Sequence, residues 1–330
     1  MPRLGIVSLF DPLESEGNPP RGDLHSAVGL ARLLALPGIG PKRALKLADH
    51  FLNWEQLSDA SAEELTSVTK AKDEDLRCLI SKSVPIEPSA DDSRAIGCFD
   101  DDWPKWLNDL TDAPVVVYVR GTTPPGGSLG VVGTRHPTKY GLSVVDAIVK
   151  EAASRKVGIV SGLAFGIDAL AHQAALRYGT LTWAILGSGV DVPTPREHVR
   201  LAEEILQAGG GLLSEQCHGT QPMPRTLVAR NRLQSAASSA LVAAQCGIPS
   251  GTLHTVRFAL QQGRRLIVPR PRSPWDQEKE SAGNLALTDP AGCPPAVIGA
   301  TGNLIRSMAS RKPLADVVLN GTADISQIWD

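Results

Sequence analysis

The chain has 330 residues, of which 42% are hydrophobic and 21% charged, and its formal net charge is −2. These values are ordinary for a soluble globular protein, and the length suits one large α/β domain with a smaller one. The near-neutral charge excludes a globally basic surface, so any nucleic-acid site has to be a local groove lined by Arg and Lys.

Targeting and metal-binding signals are missing from the sequence. No apolar run reaches the roughly 18 residues that a membrane span needs, and the first residues lack the small-residue cleavage pattern of a signal peptide. The five cysteines are scattered, without a CxxC pair or a histidine at metal-binding spacing. We therefore expect a cytoplasmic protein with reduced cysteines, no metal, no cofactor and no membrane partner.

The N-terminal region predicts an arm followed by helices. Residues 1–22 are rich in Pro, Gly and Glu, which favours a flexible arm. Residues 23–84 carry helical spacing of apolar residues, and a capping box begins at Ser61. A tight turn that includes Gly38 and Gly40 links two of these helices.

This turn, with the sequence PGIGPK, resembles a helix–hairpin–helix motif. The resemblance implies that Gly38 and Gly40 expose backbone N–H groups to a DNA phosphate and that Lys42 assists. A packing turn with surface lysines is the alternative.

The centre of the chain alternates strand, glycine turn and helix twice. Leu129–Val132 predicts a buried strand, and helical spacing begins at Tyr140 after the turn Gly133-Thr134-Arg135. A second strand at 158–160 leads through the glycine-rich turn 161–166 into another helix. Both helix N-termini then lie at the carboxyl edge of a parallel sheet, where unpaired N–H groups attract anions. Together with the planar guanidinium of Arg135, this arrangement predicts a phosphate site.

Two later segments repeat this pattern. Leu181–Leu186 predicts a third strand that ends in Gly187-Ser188-Gly189, and Ser250-Gly251-Thr252 begins another helix. We expect four such turns to meet at one edge and to form a cradle suited to a chain of phosphates. Aromatic residues make up only 4% of the chain, so base stacking is expected to be limited, with Tyr140 or Phe165 as candidates.

The double motif VVGTRxxTxYG and SGLAxGIDxxAH resembles the DprA/Smf family of DNA-processing proteins. The resemblance implies an α/β fold with a Rossmann-like parallel sheet core, preceded by a small all-helical domain of the SAM or helix–hairpin–helix type. It also implies a homodimer that binds and protects incoming single-stranded DNA and promotes RecA loading in natural transformation and recombination, without catalysis. The predicted organisation is an arm (1–22), a helical domain (23–84), the Rossmann-like domain (85–310) and a tail (311–330), with no winged-helix domain.

The resemblance and the anion argument together select the candidate DNA or phosphate contacts, which are Gly133, Thr134, Arg135, Lys139, Ser161, Gly162, Gly166, Gly187, Ser188, Arg230, Asn231, Arg232, Ser250, Gly251 and Thr252. Structural ion pairing is the alternative for Arg230 and Arg232.

The chain also departs from the family pattern. Leu227-Val228 replaces a Phe-Pro pair, Gln245 replaces an acid at a strand end, and Arg270 replaces a glycine. We expect residues 272–298 to be an insertion, followed by the family's GxNxLI segment at Gly302–Ile305. These departures leave open whether RecA loading is retained.

Enzymatic alternatives are weaker. Asp168 and His172 lie four residues apart near Ser161, but no GxSxG elbow precedes them, so we expect His172 to be a hydrogen-bonded packing residue. Phosphoribohydrolases place a glutamate where this chain has Thr255, which leaves no evident general acid. A dehydrogenase would need GxGxxG, which VGTRHPTKYG does not supply. A nucleotide-binding Rossmann protein, either a sensor or a phosphoribohydrolase-like relative, is the second hypothesis.

Overall fold

The structure is a computed structural model that describes residues 22–70 and 92–330. The predicted arm, apart from Gly22, and the end of the predicted helical domain lie outside the described residues.

The N-terminal described part is helical, as predicted. Gly40 precedes the second helix, whose first residue is Pro41, a residue suited to a helix start because it lacks the N–H that would have no partner there. Ser61 accepts a hydrogen bond from the Glu64 N–H, which confirms the predicted cap. The helices are α1 (Ala27–Leu34), α2 (Pro41–His50), α3 (Trp54–Asp59) and α4 (Ala62–Thr69).

A single nine-stranded sheet forms the centre of the protein, in the order β1-β2-β6-β5-β4-β3-β7-β8-β9. Strand β2 runs antiparallel to β1 and β6, and the other neighbours are parallel, which confirms the predicted α/β class. The strands are β1 (Ser93–Gly97), β2 (Val116–Gly121), β3 (Ser128–Gly133), β4 (Ile159–Ser161), β5 (Thr182–Leu186), β6 (Gly211–Ser214), β7 (Ser238–Gln245), β8 (Arg265–Pro269) and β9 (Val317–Leu319).

Nine further helices connect or cover these strands in the described residues after β1. None of the helices in the described ranges combines the length and apolarity that crossing a bilayer requires. The nine helices after β1 in the described residues are α5 (Lys139–Ser154), α6 (Ile167–Tyr178), α7 (Val199–Gln207), α8 (Pro224–Ala229), α9 (Asn231–Ala236), α10 (Gly251–Gln261), α11 (Ala282–Leu287), α12 (Pro295–Ile298) and α13 (Asn303–Ala309).

The order of the strands creates a switch point between β3 and β7. From β3 the chain adds β4, β5 and β6 in one direction, and then returns to place β7 on the other side of β3 before adding β8 and β9. In open α/β sheets, a crevice suited to ligands lies outside the carboxyl ends of the strands at such a point. The turns that begin at Gly133 and after Gln245 therefore border the expected site.

The helical N-terminal part shares a core with the sheet. Leu30 and Leu33 of α1 belong to the same buried cluster as Val116 and Tyr118 of β2. Burying these side chains together removes apolar surface from water on both sides. The two parts are consequently packed as one body.

The last twenty residues contribute to the sheet. Val317–Leu319 pairs with β8 as the ninth strand, and a 3₁₀ segment, Thr322–Ile328, follows it. Ile325 and Ile328 are buried in the cluster that includes Val145 and Ile148 of α5. The region that the sequence analysis separated as a tail is thus part of the core.

Candidate nucleic-acid interface

A cavity of about 430 Å³ lies at the switch point, between the turn after β3, the start of α10 and the α8–α9 segment. Its position at the carboxyl edge agrees with the predicted phosphate site. Eight of the predicted contact residues line it, namely Gly133, Thr134, Arg135, Arg230, Asn231, Ser250, Gly251 and Thr252.

The turn after β3 is attached to the end of β7. The Thr134 N–H donates to the Gln245 carbonyl oxygen over 2.7 Å, and the Thr138 N–H donates to Gln245 Oε1 over 3.0 Å. The Gln245 amide nitrogen in turn donates to Thr138 Oγ1 over 3.0 Å. Arg135 therefore projects from a turn whose backbone is held at both ends.

Arg135 is exposed at this cavity, and its guanidinium has no ion pair or hydrogen bond within the described residues. The N-terminus of α10 lines the same cavity. Ser250 caps that helix by accepting from the Thr252 N–H over 3.2 Å. The space beside Gly251, where a side chain would project, is open. A guanidinium and a helix N-terminus that share a cavity favour an anion such as a phosphate.

The floor of the cavity is a buried polar cluster. Arg230 Nη1 donates to the Ile185 carbonyl oxygen over 2.7 Å, and Arg230 Nη2 lies 3.8 Å from Asp168 Oδ2. Burial raises the pKa of the Asp168 carboxyl, and the Arg230 guanidinium opposes that shift. With its amide oxygen turned toward donors, Gln234 accepts from Arg230 Nη1 and the Gly162 N–H, and its nitrogen donates to Asn231.

Two of the four predicted turns do not form an open cradle. A side chain at Gly162 would overlap the guanidinium of Arg230, and a Cβ atom at Gly187 would lie 3.0 Å from the Leu227 backbone. The expectation that all four turns face a ligand is therefore wrong for these two, because the α8–α9 segment fills the space. Gly162 and Gly187 instead allow that segment to approach.

The other predicted contacts that lie outside the cavity lining are Ser161, Gly166 and Ser188 in the turns and Lys139 in α5. Ser161 Oγ donates to the Val131 carbonyl oxygen and Ser188 Oγ to the Val192 carbonyl oxygen, each over 2.7 Å. Gly166, with φ of +76°, brings its turn against the backbone of Thr134 and Arg135. Lys139 is exposed in the first turn of α5. The serines and the glycine shape the site without facing it.

The structure does not bring Arg232 to the cavity. Its Nε lies 2.9 Å from Asp112 Oδ2, and its Nη2 lies 2.7 Å from Glu215 Oε2. The guanidinium is buried between these two carboxylates, as expected if Arg232 has a structural role. Its pKa is raised because the attraction of both carboxylates outweighs the effect of burial.

Sequence reasoning missed several residues that line the cavity. Asp168 had been considered only as a partner of His172, and Gln234 had not been considered at all. Gln234 lies three residues after Asn231, so both side chains share one face of a helix, and this spacing could have indicated it. His136 and Thr255 also line the cavity.

His172 is a packing residue, as predicted. It is fully buried, and its Nδ1 lies 2.7 Å from Thr182 Oγ1. Burial lowers its pKa to about 3, so the ring is neutral at physiological pH. In the described ranges no group of three or more His, Cys, Asp and Glu side chains is arranged to hold a metal ion.

The helix–hairpin–helix turn borders a second, open cavity of about 420 Å³. Gly38 adopts a φ of +77°, and its carbonyl oxygen accepts from Arg43 Nη1 over 2.7 Å. The N–H of Gly40 donates no hydrogen bond within residues 22–70 and 92–330. Lys42 is exposed and lines this cavity with both glycines, opposite Asp112. The three residues are thus brought together, and DNA contact here stays a prediction.

Comparison with protein families assigns both parts of the chain. Residues 94–293 match the family model described as DNA recombination-mediator protein A. Residues 30–72 match the SAM-like helix-hairpin-helix tandem model.

The family match also corrects one sequence interpretation. It continues through residue 293, so most of 272–298 belongs to the family domain, and Gly302–Ile305 lies beyond the match. In the structure, Asn284 is fully buried and accepts from the Cys246 N–H over 2.7 Å. Its amide nitrogen donates to the Ala243 and Pro269 carbonyl oxygens, which ties this segment to the ends of β7 and β8.

Curated relatives and solved structures agree with this assignment. The chain is 38% identical to protein Smf of Escherichia coli over 172 residues, 51% of this chain and 46% of that relative. It is 36% identical to DNA processing protein DprA of Bacillus subtilis over 168 residues, 50% of this chain and 56% of that relative. These matches therefore span about half the length of both relatives.

The fold resembles two solved structures of DNA processing protein A. The Streptococcus pneumoniae structure has a TM-score of 0.67 at 23% identity and covers 92% of this chain and 97% of its own. The Helicobacter pylori structure has a TM-score of 0.55 at 24% identity and covers 72% and 95%. Because the family model spans well over half of the sequence and these folds agree, the chain belongs to the DprA/Smf family of DNA-processing proteins.

Proposed function

We propose that the protein binds single-stranded DNA along the carboxyl edge of its sheet, with backbone phosphates on Arg135 and the N-terminus of α10. The observation that carries this proposal is the exposed Arg135, which has no ion pair within residues 22–70 and 92–330 and lies on a turn that Gln245 holds. A charge without an internal partner is available to a phosphate, whereas the buried Arg232 is already neutralised by two carboxylates.

The family supports a role in DNA recombination, and the Helicobacter pylori relative binds single-stranded DNA. Lys139, Arg196 and Arg225 are further exposed cations without an ion pair in the described residues. Binding through such cations is dominated by the phosphate backbone, so it should tolerate many sequences and weaken with salt.

The wider role proposed is protection of incoming single strands and promotion of RecA loading during natural transformation, by a cytoplasmic homodimer. The description of the family as a recombination mediator supports this role. Assembly of RecA on strands covered by a single-strand binding protein tests it. Acceleration of that assembly is expected, and an unchanged rate would reject the RecA part of the proposal.

A nucleotide-binding function is the second candidate, because the cavity has a polar floor and a volume of about 430 Å³, within the range of small-molecule sites. Hydrolysis of a nucleotide is less well supported. Among the lining residues that the structure describes, Asp168 is the single carboxylate, and it is buried beside Arg230. Thr255 occupies the position where phosphoribohydrolases would have their glutamate.

Fluorescence anisotropy with a labelled oligo-dT tests the first proposal. Arg135→Ala should weaken binding and lower the slope of log K against log salt by about 0.7, the loss of one phosphate contact. Arg155→Ala is the matched control, because Arg155 lies at the opposite end of α5 and already pairs with Glu151. Equal effects of the two variants would contradict the proposed site. An unfolding temperature that rises with added mononucleotides, without binding of oligo-dT, would favour the nucleotide-binding function.

A further inference from the structure

Another pocket lies between α5, the helix that follows the Arg135 turn, and the carboxyl ends of β8 and β9. It is about 210 Å³ in volume and is bordered by α5 between Tyr140 and Ile148, by the end of β8 with the residues after it, and by the end of β9 with the residues after it. Strands β3, β8 and β9 all run in the same direction, so these three segments meet at the carboxyl edge. The pocket and the cavity beside Arg135 therefore both include residues from the carboxyl ends of strands.

The lining of this pocket is mostly apolar and includes two aromatic rings. Tyr140 and Trp275 are both partly buried there, and Pro269 also lines it. The Tyr140 hydroxyl makes no hydrogen bond within the described residues. Burial raises the pKa of that hydroxyl, so it stays protonated and can donate a hydrogen bond to a ligand.

Two arginines add positive charge to the lining. Arg272 is exposed and forms no ion pair within the described ranges, and Arg270 donates to the Thr288 carbonyl oxygen over 2.8 Å. A pocket that combines aromatic surface with guanidinium groups suits a flat ring carried by an anionic chain. Its volume is below the roughly 300–1,000 Å³ of sites for drug-sized ligands, which indicates one ring and not a whole nucleotide.

A short stretch of chain connects this pocket to the cavity beside Arg135. Arg135 and Tyr140 are five residues apart, so their Cα atoms are separated by at most about 18 Å. The turn between them is held by Gln245 through Thr138. A strand with a phosphate on Arg135 can therefore reach the pocket with a base that lies a few nucleotides or less from that phosphate.

We propose that this pocket binds one unpaired nucleobase of the DNA strand whose backbone lies on Arg135, with the base packed against Trp275 and Tyr140. This inference rests on the proposed single-strand binding. It adds a base contact to a site otherwise formed by phosphate contacts, so affinity should depend on the presence of bases as well as on charge.

Anisotropy titrations with two labelled oligonucleotides of equal length, one oligo-dT and one abasic, test the inference on the wild type, Trp275→Ala and Trp275→Phe. Stacking on one aromatic side chain is worth about tenfold in affinity. We expect Trp275→Ala to lose about tenfold for oligo-dT and nothing for the abasic strand. Trp275→Phe keeps a ring and should bind like the wild type.

The titration of intrinsic fluorescence gives an independent readout that does not depend on the alanine variant being stable. Oligo-dT should quench the tryptophan emission of the wild type, and the quenching should fall in Trp275→Phe. Equal binding of both strands by the wild type, or equal losses for both strands in Trp275→Ala, would overturn the base pocket and leave strand binding intact.

Two other outcomes separate the inference from the proposed function. Absence of binding to either strand would refute the proposed function itself, and the base pocket with it. Quenching by free dTMP at concentrations similar to those of oligo-dT would overturn the strand as the occupant, because the pocket would then recognise a free nucleotide.

Discussion

The guanidinium of Arg230 lies directly against Gly162, in the space where any other residue would carry its side chain. It is held there by the Ile185 carbonyl oxygen, and it lies 3.8 Å from Asp168. Position 162 therefore has to be glycine because the guanidinium of Arg230 occupies the space of a side chain there, and not because a ligand does. Arg230 is an internal part of the cavity floor, whereas Arg135 is its accessible cation.

Replacement of Gly162 tests this packing. We expect Gly162→Ala to lower the free energy of unfolding by about 1–3 kcal/mol, because the added methyl group displaces a buried guanidinium. Urea denaturation measures the change. Gly321→Ala is the control, since Gly321 has extended backbone and open space around it.

A double-mutant cycle makes the test specific to the contact. In an Arg230→Ala background the space beside Gly162 is vacated, so the same substitution should cost less. An equal cost in both backgrounds would show that Arg230 is not the residue that excludes a side chain at this position.

His172 should make stability depend on pH. Its folded pKa is about 3, compared with an ordinary value of 6.5, so only the unfolded chain takes up a proton on this ring between those values. The stability contributed by the neutral ring is complete above pH 6.5 and is lost as the pH falls toward 3. Each pH unit in this window costs up to about 1.4 kcal/mol.

Chemical denaturation at pH 7, 6 and 5 checks the His172 prediction. His172→Gln keeps a hydrogen-bonding group for Thr182 but cannot be protonated, so its stability should fall less over this range than that of the wild type. Parallel curves for the wild type and His172→Gln would be inconsistent with a buried neutral ring.

Gln245 should control DNA binding without contributing charge. Gln245→Ala leaves the Thr138 N–H without its acceptor, and the loss of this partly buried hydrogen bond costs about 0.5–1.5 kcal/mol. The turn that carries Arg135 then loosens, and the affinity for oligo-dT should fall. Gln245→Glu keeps an oxygen that can accept from Thr138, so its loss should be smaller.

Thermal unfolding and the anisotropy titration separate the two effects of Gln245. The expected order of oligo-dT affinity is wild type, then Gln245→Glu, then Gln245→Ala. If Gln245→Ala bound as tightly as the wild type, the attachment of the turn to β7 would have no part in presenting Arg135.

Local signals account for what the sequence predicted correctly. The change of apolar period at Tyr140 and the glycine turns at Gly133 and Gly166 depend on neighbouring residues, so they identify strands, helices and the edge where the turns meet. The parallel sheet and the cavity at its carboxyl edge agree with these predictions. Arg135 was predicted as a phosphate contact from its place in the first of these turns, and the structure leaves it exposed at the cavity.

Contacts between residues that are distant in the sequence account for the features that were not predicted. The space beside Gly162 is filled by Arg230, and the space beside Gly187 by Leu227. Both residues come from a later segment of the chain. The ninth strand has only three residues and forms by pairing with β8, so no local pattern distinguishes it from a tail. Likewise, the neutralisation of Arg232 depends on two carboxylates far from it in the sequence.

The shared core of α1 and β2 has a consequence for how long a strand must be. Because Leu30 and Val116 lie in one buried cluster, the hairpin turn at Gly40 and the cavity at Arg135 belong to one packed unit. If both places bind phosphates, the second contact becomes intramolecular once a strand is long enough to connect them. Affinity would then rise in a step at a threshold length instead of increasing gradually with each added nucleotide.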